Sequence, residues 1–345
     1  MDKEFLKELI GTPSPAGRED LLMKKIVDYT RPYADGYLYD HQGSVTTVYQ
    51  KESDFKVMLI AHADEISLIV TGYRADGSLT VGKNGGVRLQ LYIGAKVRIL
   101  VGEKIVHGVM GIANGALKKE NPDCEDLFVD IGCSSSEEAR KIVPLGSYVI
   151  HDTDLTELEN NRVAARAFDD RLGVFITQSA ALKASKEGTE NGIYCCASTG
   201  EENTGRGAYS SSSIIQPDLA VIVDVTYATD SVGSDVPGDV RLGKGGVICL
   251  GSLPNRKLNR LLEECAKELH LPVQYEVWAG RTQTDGDTFL KTNEGKPQVL
   301  FSIPLRYMHS PVEVADYADI ASMIDILALF LRKISKEEDL KPYRF

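Results

Sequence analysis

Residues that commonly bind metal ions follow short apolar segments of this sequence. Residues 57–61 lead into His62, and residues 194–198 lead into Glu201 and Glu202. Uninterrupted apolar runs of this length are typical of strands in a parallel sheet that helices cover on both faces. Because ligands bind beyond the carboxyl ends of such strands, we expect these side chains to meet at one edge of a sheet.

Two further apolar segments end in the same way. Residues 221–223 are followed by Asp224, and residues 299–303 lead through a short loop to His309. An unpartnered buried carboxylate is costly, so Asp224 is expected to be paired, to cap a helix or to bind a metal ion. The remaining histidines lie in loop or glycine-rich contexts and are predicted not to be ligands: His41, His107, His151 and His270.

Asp64 lies two residues after His62, where its carboxylate can help to orient the imidazole ring of a metal ligand. A histidine and an aspartate at this spacing are more often part of a surface loop or the start of a capped helix. The motif alone therefore leaves metal binding open. The next residue, Glu65, is expected to be structural.

Adjacent aspartates, Asp169 and Asp170, precede Arg171 at the start of a segment with helical apolar periodicity. An aspartate here can cap the helix, since its carboxylate accepts hydrogen bonds from free backbone amides. A carboxylate can instead bridge two cations about 3.5–4 Å apart, as two-metal hydrolases require. The local sequence favours neither interpretation over the other.

Consecutive glutamates, Glu201 and Glu202, offer two carboxylates that point in different directions. One can bind a metal ion while the other acts as a general base on a water molecule. The alternative is a solvated acidic turn. Glycines at positions 200, 205 and 207 favour a backbone that bends closely around a ligand.

The composition indicates an enzyme of the cytoplasm. The formal net charge of −11 opposes nucleic-acid binding, because phosphate contacts require a basic surface. The sequence contains no apolar segment long enough to span a bilayer, and its first residues lack the apolar stretch of a secretory signal. The six cysteines form no CxxC pair, as expected for reduced thiols. We therefore predict no nucleic-acid partner and no membrane association.

The domain organisation follows from a change in composition and predicted secondary structure along the chain. Glycine-rich, Val/Ile-rich segments fill residues 67–161, whereas helices and strands alternate before and after them. We predict an α/β fold with a mixed, mostly parallel sheet sandwiched by helices, formed by residues 1–66 and 162–345. The inserted residues 67–161 are predicted to form a small β-rich domain, a barrel or a PDZ-like unit, that supplies dimer contacts or a pocket wall.

Five ordered motifs resemble those of the tetrahedral (TET) type of dinuclear metallo-aminopeptidases. The motifs are HADE, FDDRLG, GEE followed by RGA, VDVT and RYMHSPVE. The family, metallopeptidase family 42, comprises glutamyl and deblocking aminopeptidases and proteins often labelled FrvX or CelM. The resemblance extends from the first helix to the last.

The resemblance implies a zinc-peptidase type fold and the removal of N-terminal residues from peptides by two divalent metal ions, zinc or cobalt, with manganese also suitable. It implies Glu201 as general base, Asp64 as support for His62, and Asp169 as the bridge between the metals. The implied ligands are His62, Asp169 and Asp224 for one metal, and Asp169, Glu202 and His309 for the other.

The resemblance also implies short unfolded peptides as substrates and a homo-oligomer built from dimers, commonly a dodecamer. The chain departs from the family pattern at Ser67 and in the 203–207 turn, where pocket shape is in question. Two alternatives stay open from sequence: a glycoside hydrolase that uses the paired carboxylates, and an inactive metal-bearing scaffold that binds peptides. Arg281 and Gln283 could favour an acidic first residue.

Overall fold

The structure is a computed structural model that describes residues 1–113, 115–231, 238–292 and 294–343. The described residues form eight α-helices: α1 (Lys3–Gly11), α2 (Asp20–Thr30), α3 (Ser136–Ile142), α4 (Phe168–Glu187), α5 (Arg206–Ile215), α6 (Arg256–Glu268), α7 (Asp285–Phe289) and α8 (Tyr317–Lys333). They also form the strands β1 (Gly36–Tyr39), β2 (Val45–Tyr49), β3 (Lys56–His62), β4 (Ser67–Tyr73), β5 (Leu79–Asn84), β6 (Lys96–Val101), β7 (Lys104–Ile112), β8 (Leu127–Asp130), β9 (Tyr148–His151), β10 (Thr156–Glu157), β11 (Arg162–Ala165), β12 (Gly192–Ser198), β13 (Leu219–Tyr227), β14 (Val247–Gly251), β15 (Gln274–Trp278), β16 (Gln298–Leu305) and β17 (Glu313–Asp316).

The main sheet has eight strands in the order β1-β2-β12-β3-β13-β16-β14-β15. The four central strands β12, β3, β13 and β16 are parallel to one another, whereas β2 and β14 join them antiparallel. All residues of β12 and β16 are buried, which explains why their sequences lack polar alternation. The predicted mixed, mostly parallel sheet is confirmed.

Helices cover the two faces of this sheet, and alternate residues of each strand serve alternate faces. In β3, Val57 and Leu59 join the larger core, which α1, α2, α4, α6 and α8 complete. Met58 and Ile60 join the smaller core on the opposite face, to which α5 and α7 contribute Ala208 and Phe289. This period of two is the strand geometry expected for a sheet between helical layers.

The inserted segment forms a closed six-stranded barrel in the order β4-β5-β8-β7-β6-β9. Its own core includes Leu68, Val81, Ile99 and Val149. A separate sheet, β10-β11-β17, follows the barrel. The predicted fold class, with a small inserted barrel, is therefore confirmed. The domain boundaries at residues 67–161 and the role of the insertion stay predictions.

The last helix begins later than the sequence indicates. The apolar pattern predicts a helix from Ala315, but residues 313–316 form β17, which pairs with β11. Asp316 then accepts a hydrogen bond from the Ala318 amide at 2.8 Å and so caps α8. Among the described residues, no helix is long and apolar enough to cross a membrane.

Buried ion pairs fix the chain beneath the end of β3. Glu65, only 3% exposed, is paired with Arg166 and Arg171. Arg171 also donates to the Ile10 carbonyl at 2.8 Å and to Ser14 Oγ at 2.7 Å, which connects α1 to the start of α4. The structural role expected for Glu65 agrees with these contacts.

We predict that Glu65→Ala destabilises the fold by about 3–5 kcal/mol, because it leaves two guanidinium groups buried without a counter-ion. Glu8→Ala is the matched control, since Glu8 pairs with Lys25 at the surface, where such a pair contributes about 0–1 kcal/mol. Urea unfolding of both variants measures the difference. Equal losses of stability in the two variants would contradict the buried-pair account.

Candidate metal centre

The seven predicted site residues lie together at the carboxyl edge of the parallel strands. His62 is the last residue of β3, and Asp224 lies near the end of β13. Glu201 and Glu202 follow β12 with Asp64 beneath them, Asp169 lies in the first turn of α4, and His309 follows β16. The strand order places these chain segments side by side, although they are far apart in sequence.

Asp169 lies between the two histidines. Its Oδ1 is 3.0 Å from His62 Nε2, and its Oδ2 is 3.1 Å from His309 Nε2. The carboxylate therefore presents one oxygen to each histidine. It does not cap α4: Asp170 instead accepts the Gly173 amide at 3.1 Å, three residues on. The geometry thus favours the bridging interpretation of Asp169 over the capping one.

Among the described residues, two groups of side chains have ligand atoms close enough to share one cation. His62, Asp169 and Glu202 form one group, and His62, Asp170 and Asp224 form the other, with all ligand atoms of a group within 4.8 Å of one another. Glu202 Oε1 is also 3.5 Å from His309 Nε2. Neither group is identical to an implied ligand set: Glu202 rather than Asp224 is grouped with His62 and Asp169, and Asp224 is grouped with Asp170. His309 does contact both Asp169 and Glu202, as the second implied set requires.

Asp170 is the member of these groups that sequence reasoning did not propose as a ligand. Its Oδ2 accepts the His62 backbone amide at 3.2 Å, and its Oδ1 accepts the Gly173 amide. Both oxygens are thus engaged with backbone groups, so we interpret Asp170 as a residue that positions β3 and α4. The doubled aspartate in the sequence is the signal that pointed to it.

The His62 ring is oriented by the Asp64 backbone. Its Nδ1 lies 3.1 Å from the Asp64 carbonyl oxygen, which assigns a proton to Nδ1, so Nε2 faces the site and would supply its lone pair to a bound metal ion. The Asp64 carboxylate lies 3.6 Å from Nδ1 and binds elsewhere. It accepts the amides of Glu201 at 3.0 Å and Glu202 at 3.2 Å, and so holds the glutamate turn.

Glu313 also positions predicted ligands, and sequence reasoning assigned it no role. It is 2% exposed; its Oε1 accepts the His309 amide at 2.8 Å, and its Oε2 accepts the Asp169 amide at 3.2 Å. One side chain thereby sets the spacing of the bridge and the second histidine. Its only sequence signal is its place at the end of the RYMHSPVE motif.

Electrostatics favour cations at this site. Burial raises the pKa of Glu201 to about 9 against the lowering effect of His62, and repulsion from Asp224 adds to the rise. Burial also raises the pKa values of Glu202 and Asp224 well above the usual range, with repulsion from Asp169 adding to both. Bound divalent cations would relieve this repulsion, so the residues present fit a dinuclear metal site.

Hydrogen bonds keep Asp169 ionised within this acidic cluster. Burial alone would raise its pKa, but the hydrogen bonds to His309 and His62 hold the pKa well below its usual range. An ionised carboxylate that directs one oxygen to each histidine is suited to join two cations.

An open cavity of about 450 Å³ adjoins the predicted ligands. It is lined by His62, Asp169, Glu201 and Glu202 at one side, and it continues along β13, β15 and β16. A cavity of this volume accommodates an amino-acid side chain next to the site.

A residue of the inserted segment, Gly86, lines the cavity. Gly86, which follows β5, lies against His309: a Cβ atom built there would be 2.8 Å from Cε1 and 2.9 Å from Nδ1 of the imidazole. Asn84 at the end of β5 donates to Ser67 Oγ at 2.9 Å and accepts from the Asn203 side chain at 3.0 Å. Both departures from the family pattern therefore contact one barrel residue.

We predict that Gly86→Ala lowers turnover at this site by up to about 100-fold, because the added methyl group displaces the His309 ring. Gly36→Ala, where the added atom would meet open space, should retain normal turnover. Steady-state kinetics of both variants, with metal content measured in parallel, tests this. Normal activity in Gly86→Ala would show that the barrel does not constrain the site.

A parallel α/β sheet with histidines and carboxylates converging at its carboxyl edge, beside an open cavity, defines a metal-dependent hydrolase. The sequence model of the M42 glutamyl aminopeptidase family matches residues 43–326. The chain belongs to this family and is a metallo-aminopeptidase, as the five motifs predict.

Individual proteins are similar over their full length. The lysyl aminopeptidase of Pyrococcus furiosus is 34% identical over 355 residues, covering 100% of this chain and 99% of that protein. A TET aminopeptidase from a marine sediment archaeon, Thaumarchaeota archaeon SCGC AB-539-E09, has a TM-score of 0.91 at 27% identity, covering 97% of this chain and 98% of the other. The TET1 peptidase of Pyrococcus horikoshii has a TM-score of 0.86 at 26% identity, covering 96% and 99%.

Proposed function

We propose that this aminopeptidase removes the first residue of short, unfolded peptides by two-metal hydrolysis, with Glu201 as general base. The single observation that carries the proposal is the position of Asp169, whose two oxygens face His62 and His309 at 3.0 and 3.1 Å. A carboxylate shared in this way between two histidines is the arrangement that a dinuclear site requires.

The proposed ligands of one metal ion are His62, Asp169 and Asp224, and those of the other are Asp169, Glu202 and His309. Zinc, cobalt and manganese all suit a set of imidazole and carboxylate ligands without thiolates. When bound, two such ions would supply Lewis acidity to the scissile carbonyl and to the attacking water.

Glu201 is placed to move the proton of this reaction. Its side chain is 17% exposed, lines the cavity and has Oε2 4.0 Å from His62 Nε2. The raised pKa of Glu201 would fall beside bound cations, which would leave the carboxylate ionised. As water adds to the carbonyl carbon, Glu201 then accepts the water proton, and it donates this proton to the amine nitrogen as the C–N bond breaks. Asp64 holds the Glu201 backbone and thus keeps the carboxylate in position.

The site geometry does not favour the two other functions open from sequence. A glycoside hydrolase needs two carboxylates flanking a sugar. Its reaction does not require two histidines, each facing one oxygen of Asp169, as His62 and His309 do. The argument for an inactive peptide-binding scaffold rests on the altered 203–207 turn. That turn, however, leaves both glutamate amides bound to Asp64, and α5 begins within it, at Arg206.

We further propose a homo-oligomer assembled from dimers, in which the barrel supplies dimer contacts, and a cytoplasmic location. The TET1 peptidase of Pyrococcus horikoshii can assemble into a tetrahedron or a large octahedral shell, which supports an assembly of this kind here. A closed particle would limit substrates to unfolded peptides. The mass in solution, measured by light scattering, tests the assembly.

The function is tested with one panel of substrates. Metal-loaded protein should hydrolyse a peptide with a free N-terminus, should not hydrolyse the same peptide after N-acetylation, and should not release sugar from cellulose. A chelator should abolish the peptide activity, and added cobalt or zinc should restore it. Hydrolysis of cellulose, or inactivity toward every free-amine peptide, would overturn the proposal.

A further inference from the structure

Two acidic side chains that the proposed reaction does not use, Glu276 and Asp287, line the cavity. Asp287 accepts hydrogen bonds from the Thr282 and Gln283 amides and so holds the loop before α7, whereas the hydrogen bonds to Glu276 come from side chains. Glu276 lies in β15, and its side chain reaches across β14 to residues of β16 and β13. Ser302, which it contacts, is the Cα partner of Asp224 in the sheet. The Glu276 carboxylate therefore lies close to the proposed metal site but outside it.

Only uncharged groups hold this carboxylate. Oε2 accepts hydrogen bonds from Thr226 Oγ1 at 2.5 Å and from Trp278 Nε1 at 3.0 Å, and Oε1 accepts one from Ser302 Oγ at 2.6 Å. Within the described ranges, no lysine, arginine or histidine forms an ion pair with Glu276. Each oxygen keeps acceptor capacity for a further donor, and no side chain in the described part of the chain neutralises the half-buried charge.

The surroundings suit a long cationic side chain. Leu300 and Trp278 line the cavity beside Glu276 and offer apolar surface to an aliphatic stem. Lysine and arginine have such stems and carry their charge at the end, where the carboxylate would meet it. Substrate bound with its first peptide bond at the metal centre would place this side chain in the same cavity.

We propose that Glu276 selects peptides whose first residue is basic, lysine or arginine. This rests on the aminopeptidase function proposed for the site, and it names the substrate class of that function. The matching family is that of glutamyl aminopeptidases, whereas the Pyrococcus furiosus relative is a lysyl aminopeptidase. Similarity alone therefore does not decide between an acidic and a basic first residue.

Two basic side chains in the cavity wall oppose this selection of basic first residues only weakly. Arg281 and Lys291 line the cavity but are exposed. Solvent and salt screen exposed charges, whereas Glu276 is half-buried between side chains that exclude water. The inner carboxylate therefore dominates the preference for the first residue.

The alternative role for Glu276 is structural, since its three hydrogen bonds also tie β15 to β13 and β16. A structural role predicts parallel losses for all substrates when the residue is changed. A selective role predicts a loss that depends on the charge of the substrate, which makes the ratio of two substrates the informative quantity.

The experiment compares lysyl and norleucyl reporter substrates, which share the same stem and differ in the terminal ammonium group. For the metal-loaded protein we expect the kcat/KM ratio of lysine to norleucine to exceed unity by roughly 10- to 100-fold, the value of a hydrogen bond to a charged group. Glu276→Gln should bring the ratio close to unity. Glu264→Gln, an equal change of charge on the exposed face of α6, should leave the ratio as it is.

Each outcome tests either the selection by Glu276 or the aminopeptidase function itself. A ratio near unity in the unaltered protein, a preference for glutamyl substrates that Arg281→Gln removes, or an unchanged ratio in Glu276→Gln would overturn the selection. In each case norleucine hydrolysis would still show a working aminopeptidase. Inactivity toward every free-amine substrate would instead overturn the proposed function together with this inference.

Discussion

Glu201→Gln should lower aminopeptidase turnover by about 10²–10⁴-fold while leaving the metal content and the fold unchanged. The amide keeps the shape of the side chain but cannot accept the proton of the attacking water. Because Glu201 is not among the proposed ligands, KM for a free-amine peptide should change little. Steady-state kinetics, with elemental analysis of the same samples, measures both quantities.

Glu202→Gln is the matched control, because it makes the same chemical change in the neighbouring residue. It should also lower turnover, but through the loss of one metal ion. If Glu201→Gln keeps most of its activity while Glu202→Gln alone is inactive and depleted of metal, the division of roles between the two glutamates is wrong.

Asp169→Asn should lower turnover by roughly 10³-fold or more and reduce bound metal below one ion per subunit. The change removes the negative charge and one of the two oxygens that face His62 and His309. Glu202→Ala provides a graded comparison, since it should empty only the site that it shares with His309. Elemental analysis after equilibration with cobalt measures the two losses.

Retention of two metal ions in Asp169→Asn would contradict the bridging role. Equal metal loss in Asp169→Asn and Glu202→Ala would show that the sites are filled cooperatively rather than through a shared carboxylate. Circular dichroism of each variant excludes unfolding as the cause of metal loss.

The strands and the side chains at their ends could be predicted from the sequence because both depend on local patterns. Apolar runs without alternation indicate buried parallel strands, and His62 and Glu202 follow two of them. The convergence of these ends at one edge then follows from sheet geometry. The strand order itself, with β12 between β2 and β3, is not contained in any local pattern.

Contacts between distant segments could not be predicted. The choice between capping and bridging for Asp169 depends on two histidines that lie more than a hundred residues away on either side. Glu313 acts through backbone amides of two different loops, and Glu276 reaches over a neighbouring strand. The sequence does not indicate the short strand β17, because four residues before a helix carry too little pattern to distinguish strand from helix.

The central claim is that hydrolysis at a free N-terminus depends on two metal ions held around Asp169. It is tested most directly by titrating metal-stripped protein with cobalt while following hydrolysis of a free-amine peptide. We expect no activity in the stripped protein and a rise that saturates at two equivalents per subunit. Full activity in the stripped protein, or saturation at one equivalent, would contradict the account.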